Sequence, residues 1–381
     1  MTEKSKKPRL RFKGFTEAWE QCELTKLGRI ETGNTPSTAI EDYYSDTGLL
    51  WVTPTDIISN IIVNTDKKLT TKGIAVARVI PANSILCTCI ASIGKNAFLP
   101  VKCAFNQQIN ALTPFENNDP YFLFTNSYHW SQTMKKGAGG LTFQIVNKTE
   151  FSNIKTHVPE YVEQKKIGQL FYKLDNLITL HQRKYDKFVA IKKALLEKMF
   201  PRAGKSVPEI RFKGFTETWE QCKLGDSVEV CSGKDYKHLR SGDIPVYGTG
   251  GYMLSVNEAL SYNQDAIGIG RKGTIDKPYV LNAPFWTVDT LFYAILKKNN
   301  DLSFMFSIFQ KVDWKSKDES TGVPSLSKNT INDVDIIIPI LEEQSKIGSI
   351  FSSIDNLITL HQRQLEKLKN IKSALLEKMF V

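Results

Sequence analysis

Cysteine is scarce in this chain: six in 381 residues, too few and too scattered to staple a small disulfide scaffold. Cys87 and Cys89 flank a single Thr inside an apolar run with no His pair nearby, which is not the spacing of a zinc site. They are expected to be reduced, mostly buried thiols of a cytoplasmic protein. No run of about eighteen apolar residues occurs, so no membrane-spanning helix is expected. The basic start MTEKSKKPRLRF carries neither the apolar stretch nor the small-residue cleavage site of a secretory signal. Catalytic signatures are missing too: no G-x-S-x-G elbow, no Asn-Pro-Pro or Asp-Pro-Pro, and five scattered histidines. GIGRKG at 268–273 fits a dinucleotide pattern, but Asp276-Lys277-Pro278 follows where the phosphate-binding helix would have to start. AGKSV at 203–207 lacks the first Gly that a P-loop needs upstream of its Gly-Lys-Ser. Neither catalytic residues, a metal site nor a cofactor bound by this chain is expected.

What the chain does have is repetition. RFKGFTEAWEQC at 11–22 returns as RFKGFTETWEQC at 211–222, and the block 163–200 returns at 343–380, with DNLITLHQR identical at 175–183 and 355–363. In the long block Phe171, Leu174, Ile178, His181, Tyr185, Phe188, Lys192, Leu195 and Met199 step by three and four. The second copy gives Phe351, Ile354, Ile358, His361, Leu365, Leu368, Lys372, Leu375 and Met379. That is the seam of a helix repeating twice per heptad. Pro159 and Pro339 suit the helix starts, and about forty residues make a rod near ~60 Å long. A rod apolar on one stripe needs a partner, and two copies in one chain predict an antiparallel coiled-coil pair. His181, His361, Lys192 and Lys372 are either seam-edge side chains reaching solvent or residues that fix register or touch a partner.

The segments between, 28–158 and 225–338, alternate short β-branched runs with Gly, Pro, Asn and Asp, and each ends in a helical stretch, near 119–136 and 301–317. The expected fold class is α+β: two mixed, strand-rich domains separated by two long helices, with a pseudo-two-fold internal repeat. The expected division is 1–158, 159–200 for the central helix, 201–207 for a linker, 208–338, and 339–381 for the distal helix. The inserts are diverged copies, Lys95 matching Lys277, inside a nearly unchanged frame. The frame copies agree in polar residues as well, at Glu163, Gln164, Asp175, Asn176, Gln182 and Arg183. Packing alone does not demand that, so a surface docking the same partner twice is expected.

The net charge of +10 lies wholly in the frame, the inserts being neutral in sum. Any nucleic-acid contact by the inserts must therefore be local. Candidate contacts are Lys95, Asn106, Gln107, Gln108, Lys135 and Lys136 in the first insert. In the second they are Lys234, Tyr236, Lys237, His238, Arg240, Arg271, Lys272 and Lys277. Arg and Lys reach phosphates or guanine edges, and Asn or Gln can pair bidentately with adenine.

The frame resembles the specificity subunit of type I restriction–modification systems. The residues that carry the likeness are Gly14-Phe15 to Trp19 with Leu27-Gly28, and Gly214-Phe215 to Trp219 with Leu224-Gly225. The helix starts Pro159, Glu163-Gln164, Ile167 and Pro339, Glu343-Gln344, Ile347 carry it too, as do TGNTPS at 32–37 and YGTGGY at 247–252. Leu27-Gly28 lies three residues later than its counterpart. The resemblance implies two target recognition domains on double-stranded DNA, each reading half of a bipartite site. It implies a helical spacer docking two modification subunits, with restriction subunits joining the complex. S-adenosylmethionine, ATP and magnesium would belong to those partners. Two readers on one side of DNA predict half-sites about one turn apart, near ~34 Å. The rival reading, motivated by the neutral inserts, is a non-catalytic coiled-coil scaffold that binds two identical proteins and no nucleic acid.

Overall fold

A computed structural model of the chain describes residues 7–58, 60–90, 92–137, 145–202 and 204–381, the side chains of Lys136 and Gly137 excepted. It divides into two compact units, one of residues 1–182 with 364–381 and one of 183–363. Each unit holds one short block, one insert, the first half of one long helix and the second half of the other.

The first unit is built around a four-stranded antiparallel sheet in the order Gly28–Thr32, Ile109–Pro114, Ser84–Thr88, Asn96–Leu99. The helix Pro120–Gly137 covers it, burying Phe122, Trp130 and Met134 against Ile85 and Phe98. The second unit repeats the sheet as Val228–Ser232, Leu291–Leu296, Ala266–Gly270, Tyr279–Leu281, covered by Leu302–Lys311. In each unit the short block adds a strand, Glu20–Glu23 or Glu220–Lys223. It pairs antiparallel with the strand that leads into a long helix, Lys155–Val158 or Asp335–Ile338. The long helices run Tyr161–Lys198 and Leu341–Met379.

Repetition of Glu163, Gln164 and Asp175 has an internal cause, which corrects their reading as outward surface. Arg11 grips Glu163 with Nε and Nη2 at 2.9 and 2.6 Å, and Arg211 grips Glu343 at 2.7 Å with both. Glu163 and Glu343 are buried. Gln164 donates to Pro159 O and accepts from the backbone N–H of Asp119; Gln344 does the same with Pro339 O and Asp301. Those aspartates cap the insert helices by accepting from Phe122 N and Phe304 N. Gly168 and Gly348 leave no room for a Cβ beside the same carboxylates. The cap sits in NND, repeated at 117–119 and 299–301, a third repeat that keys each insert to its helix.

Within each unit the two helix halves run antiparallel. In the first, Phe171 meets Phe380 at 5.7 Å and Lys372 donates to the buried Asp175. In the second, Phe351 meets Phe200 at 5.7 Å, His361 stacks on Phe188 at 5.7 Å, and Lys192 donates to Asp355 at 2.5 Å. Both seam lysines thus form cross-helix ion pairs instead of reaching freely into solvent. Phe171, Leu174, Phe351, Ile354 and His361 are buried; Ile178, His181, Leu195, Ile358 and Leu375 are half-buried.

Two further corrections concern boundaries. Leu24, not Leu27, is the counterpart of Leu224: both are fully buried and donate their N–H to Ile154 O and Val334 O. The second insert helix stops at Lys311, well short of 317, because Trp314 turns back and donates Nε1 to Phe309 O at 2.7 Å. Cys87, Cys89 and Cys103 are buried free thiols; burial pushes Cys89 up to about 11 and Cys103 to about 12.

Candidate nucleic-acid interface

The candidate residues of the two inserts occupy matching places. In the second unit the short segment after strand Trp286–Thr287 turns into Leu291–Leu296, with Leu291 N donating to Val288 O. On one side lies the loop that follows Val228–Ser232: Gly233 N donates to Leu291 O and Lys234 N to Thr287 O. On the other lies the loop after Ala266–Gly270, where Arg271 N donates to Thr290 O at 2.8 Å. A Cβ on Gly233 would fall on Val288 O and Thr287 O, so only glycine lets the first loop lie this close. The turn thereby gathers Lys234, Arg271 and Lys272, all exposed.

Arg271 and Lys272 line a cleft of about 390 Å³ with Asp289, Thr290, Ser325 and Leu326. The Arg271 guanidinium lies 5.8 Å from the Phe292 ring and donates to Asp289 O. Behind it, residues 318–325 are held by the Asp318 carboxylate, which accepts from Ser325 N and Ser320 N; those bonds lower its pKa. Leu326 N then donates to Arg271 O. Lys277 is exposed, between Asp276 and the strand Tyr279–Leu281. Asp276 is itself held below the usual carboxylate range by its hydrogen bond to Lys315 at 2.9 Å. Lys237, His238 and Arg240 are exposed farther along the first loop, while Tyr236 is half-buried against the Val246–Trp286 cluster. His238 lies edge-on to Trp286 at 6.0 Å.

In the first unit the corresponding turn is Asn106-Gln107-Gln108. Gly33 N donates to Ile109 O, Asn34 N to Phe105 O and Cys89 N to Gln108 O, matching the bonds at 233, 234 and 271. Asn106 is not free to read a base: its oxygen accepts from Gln108 N at 2.7 Å and its amide donates to Thr35 Oγ1 at 3.1 Å. Gln107 is exposed and accepts from Thr35 Oγ1; its amide NH2 remains a donor. Gln108 is half-buried. Lys95 is exposed on the loop into Asn96–Leu99, with its backbone paired to Thr88. Lys135 is exposed at the end of the insert helix and, with Asn60, Gly94, Asn96, Tyr128 and Lys372, lines a cleft of about 340 Å³. The Lys136 side chain, residues 138–140 and Ala203 lie outside the described residues.

One basic residue escaped the sequence reading. Arg78 is exposed beside the same turn, its N–H donating to Asn34 Oδ1 at 2.6 Å and its guanidinium to Thr32 O. Nothing in the sequence joins position 78 to position 34; only the fold does. Among the described residues no cluster of His, Cys, Asp or Glu could hold a metal ion, and no helix is long and apolar enough to cross a membrane.

Comparisons with known proteins agree with this double arrangement. The family described as type I restriction modification DNA specificity domain matches twice, over residues 16–188 and 216–370. The type I restriction enzyme MjaVIII specificity subunit of Methanocaldococcus jannaschii is 22% identical, over 94% of this chain and 91% of its own. The HindI specificity subunit of Haemophilus influenzae is 31% identical over 41% of this chain and 36% of its own. The crystal structure of a type I restriction-modification S subunit from M. genitalium shares the fold, with a TM-score of 0.78 at 16% identity. That match covers 98% of this chain and 99% of the other.

Proposed function

Because the chain belongs to the type I restriction–modification DNA specificity family, we propose that each of its inserts reads one half of a bipartite DNA site through the loops gathered at its turn. The chain is a DNA specificity subunit and is not itself an enzyme; it lends sequence choice to the catalytic subunits of a type I complex. The observation that carries the two-reader proposal is the matched bonding at Gly33, Asn34 and Cys89 and at Gly233, Lys234 and Arg271. One backbone scaffold is thus used twice with different side chains on it. Gln107 offers an amide to an adenine edge; Arg78, Lys234, Arg271 and Lys272 offer cations to guanine edges or phosphates. Neutral inserts then suit the task, since base choice comes from placed groups and the frame's excess charge supplies bulk attraction.

The proposed recognition domains are the inserts within 1–158 and 208–338, with 159–200 and 339–381 as spacer helices joined through 201–207. Two modification subunits would dock on the repeated frame, where Asn176, Leu177, Leu180 and Arg183 and their copies Asn356, Leu357, Leu360 and Arg363 are exposed. S-adenosylmethionine, ATP and magnesium would act in the partner subunits. With DNA as substrate the complex would work in the cytoplasm.

The test is an exchange. Residues 225–338 are replaced by the insert of another member, the chain is expressed with its modification subunits, and methylated adenines are mapped. One half-site should change while the other half-site and the gap stay. A change in both halves, or no methylated motif for either chain, would sink the reading.

A further inference from the structure

The second unit leaves open a strand edge that the first unit closes. Glu220–Lys223 and Asp335–Ile338 form a sheet of two strands, so among the described residues the far side of Asp335–Ile338 has no neighbouring strand. Leu224 N donates to Val334 O directly across the register, and bonded and unbonded pairs alternate along an antiparallel ladder. Asp335 and Ile337 therefore turn their N–H and C=O groups away from the partner strand. In the first unit Leu24 N and Ile154 O set the same alternation, which turns out His157, and Asn126 Nδ2 donates to His157 O at 3.2 Å. Asn126 follows the capping Asp119 at the same distance as Ile308 follows the capping Asp301. Ile308 has no side-chain donor to offer Ile337 O. The strand itself reads KTHV in the first unit and DIII in the second.

That edge lines a cleft of about 370 Å³, in which residues 334–337 stand together with the apolar side chains of Phe200, Ile308 and Val312. The cleft is also cationic. Lys311 Nζ donates to Pro201 O at 3.2 Å and lies 5.3 Å from the Phe200 ring, with no ion pair among the described residues. Desolvation there lowers its pKa below the ordinary amine range. Lys317 lines the same cleft. The remaining charges are answered: Arg202 holds Glu209 and Asp335 holds Lys223, each at 2.8 Å. An unpaired apolar strand edge is a template for another strand, and the two lysines ask that the newcomer be acidic. A second copy of this chain fits poorly, because edge-to-edge pairing would set the same lysines against one another.

We propose that the edge Asp335–Ile338 takes up an extended, acidic segment of a partner protein as a third strand. The outward N–H and C=O groups of Asp335 and Ile337 supply main-chain bonds, as in other cases of β-strand addition. Every second side chain of the segment lies on one face, and apolar residues there suit Phe200, Ile308 and Val312. Its carboxylates meet Lys311 and Lys317. A site open in one unit and closed in the other cannot serve partners that meet what both units share. The occupant is therefore a protein other than the two modification subunits, a choice that rests on their docking as proposed above.

The test uses the full chain assembled with its modification subunits and two pools of synthetic hexapeptides. One pool alternates Val, Ile or Phe with Glu or Asp, and the other carries Lys at the acidic positions. Hydrogen exchange at the Asp335 and Ile337 amides should slow about tenfold with the acidic pool and stay unchanged with the basic one. K311E should weaken binding of the acidic pool about tenfold. I337P removes the outward N–H without touching a ladder bond, and should weaken it about fivefold. Both variants should keep the parent melting temperature and methylate the parent motif, and K311E alone decides if I337P does not fold. Equal protection by both pools, protection by neither, or full binding to K311E overturns the proposal. So does release of the modification subunits by the acidic pool, which would assign the edge to them. A dimer of the chain that K311E alters would assign it to a second copy, and overturns it too. Failure of the modification subunits to assemble on the chain at all defeats the docking reading itself, a separate result.

Discussion

Arg11 and Glu163 are far apart in sequence, yet the guanidinium holds both carboxylate oxygens, and Arg11 Nη1 also donates to Glu17 O. The carboxylate is 1% exposed and the guanidinium side chain 12%. Removing either partner leaves a charge without its counter-ion in a dry place, which costs about 3–5 kcal/mol. Arg11→Ala and Glu163→Ala should each lower stability by that amount in urea titrations, as should Arg211→Ala and Glu343→Ala. Arg11→Lys should rescue little, because one ammonium cannot span both oxygens. Near-wild-type midpoints for the alanine variants would mean that the pair is ornamental. The residue types were legible in the repeat, whereas their pairing was not. A repeated polar residue looks the same in sequence whether it faces a partner or an arginine brought in from another segment.

At the scale of elements, the two helix ion pairs set register differently. Lys192–Asp355 is partly open, with side chains 14% and 29% exposed. Asp175 is buried and additionally accepts from Tyr121 Oη at 2.7 Å. Lys192→Asp and Asp355→Lys should each destabilise by about 1–2 kcal/mol, and the double reversal should recover most of it. The same reversal at 175 and 372 should fail, since a lysine at 175 would face the Tyr121 hydroxyl without its acceptor. A double-mutant cycle in denaturant measures both; equal recovery at the two sites would contradict the asymmetry. The long helices were legible because a seam sustained over about eight turns is a strong periodic signal. The insert elements were less so: KVDWKSK has neither Gly nor Pro to end a helix, and Trp314 ends it by folding its indole back onto Phe309 O in the helix's own last turn. The gathering of Arg78, Asn34 and Gln107 depends on strand order, which no local pattern encodes.

For the whole molecule, the two units differ in how one junction is joined. In the second, the end of the helix Tyr161–Lys198 continues through 201–207 into the short block, with Ile210 N donating to Lys198 O at 2.9 Å. In the first, the end of the helix Leu341–Met379 meets the other short block through the matching bond, Leu10 N to Lys378 O, also 2.9 Å. The aromatic plugs match as well. Phe200 stacks on Phe304 at 5.4 Å beside Trp219 and Phe351, and Phe380 stacks on Phe122 at 5.6 Å beside Trp19 and Phe171. A peptide link at this junction is therefore a matter of connectivity and not of packing. A permuted chain that starts at 206, passes from 381 to 8 through a copy of residues 201–208, and stops at 202 should fold to both units. Its melting temperature should fall by no more than about 5 °C, because one loop closure replaces another. Expressed with the modification subunits, it should methylate the same bipartite motif with the same gap. A permuted chain that is insoluble, or that keeps the half-sites but alters the gap, would show that the link at 201–207 does more than join two ends already held together by Phe200 and its aromatic neighbours.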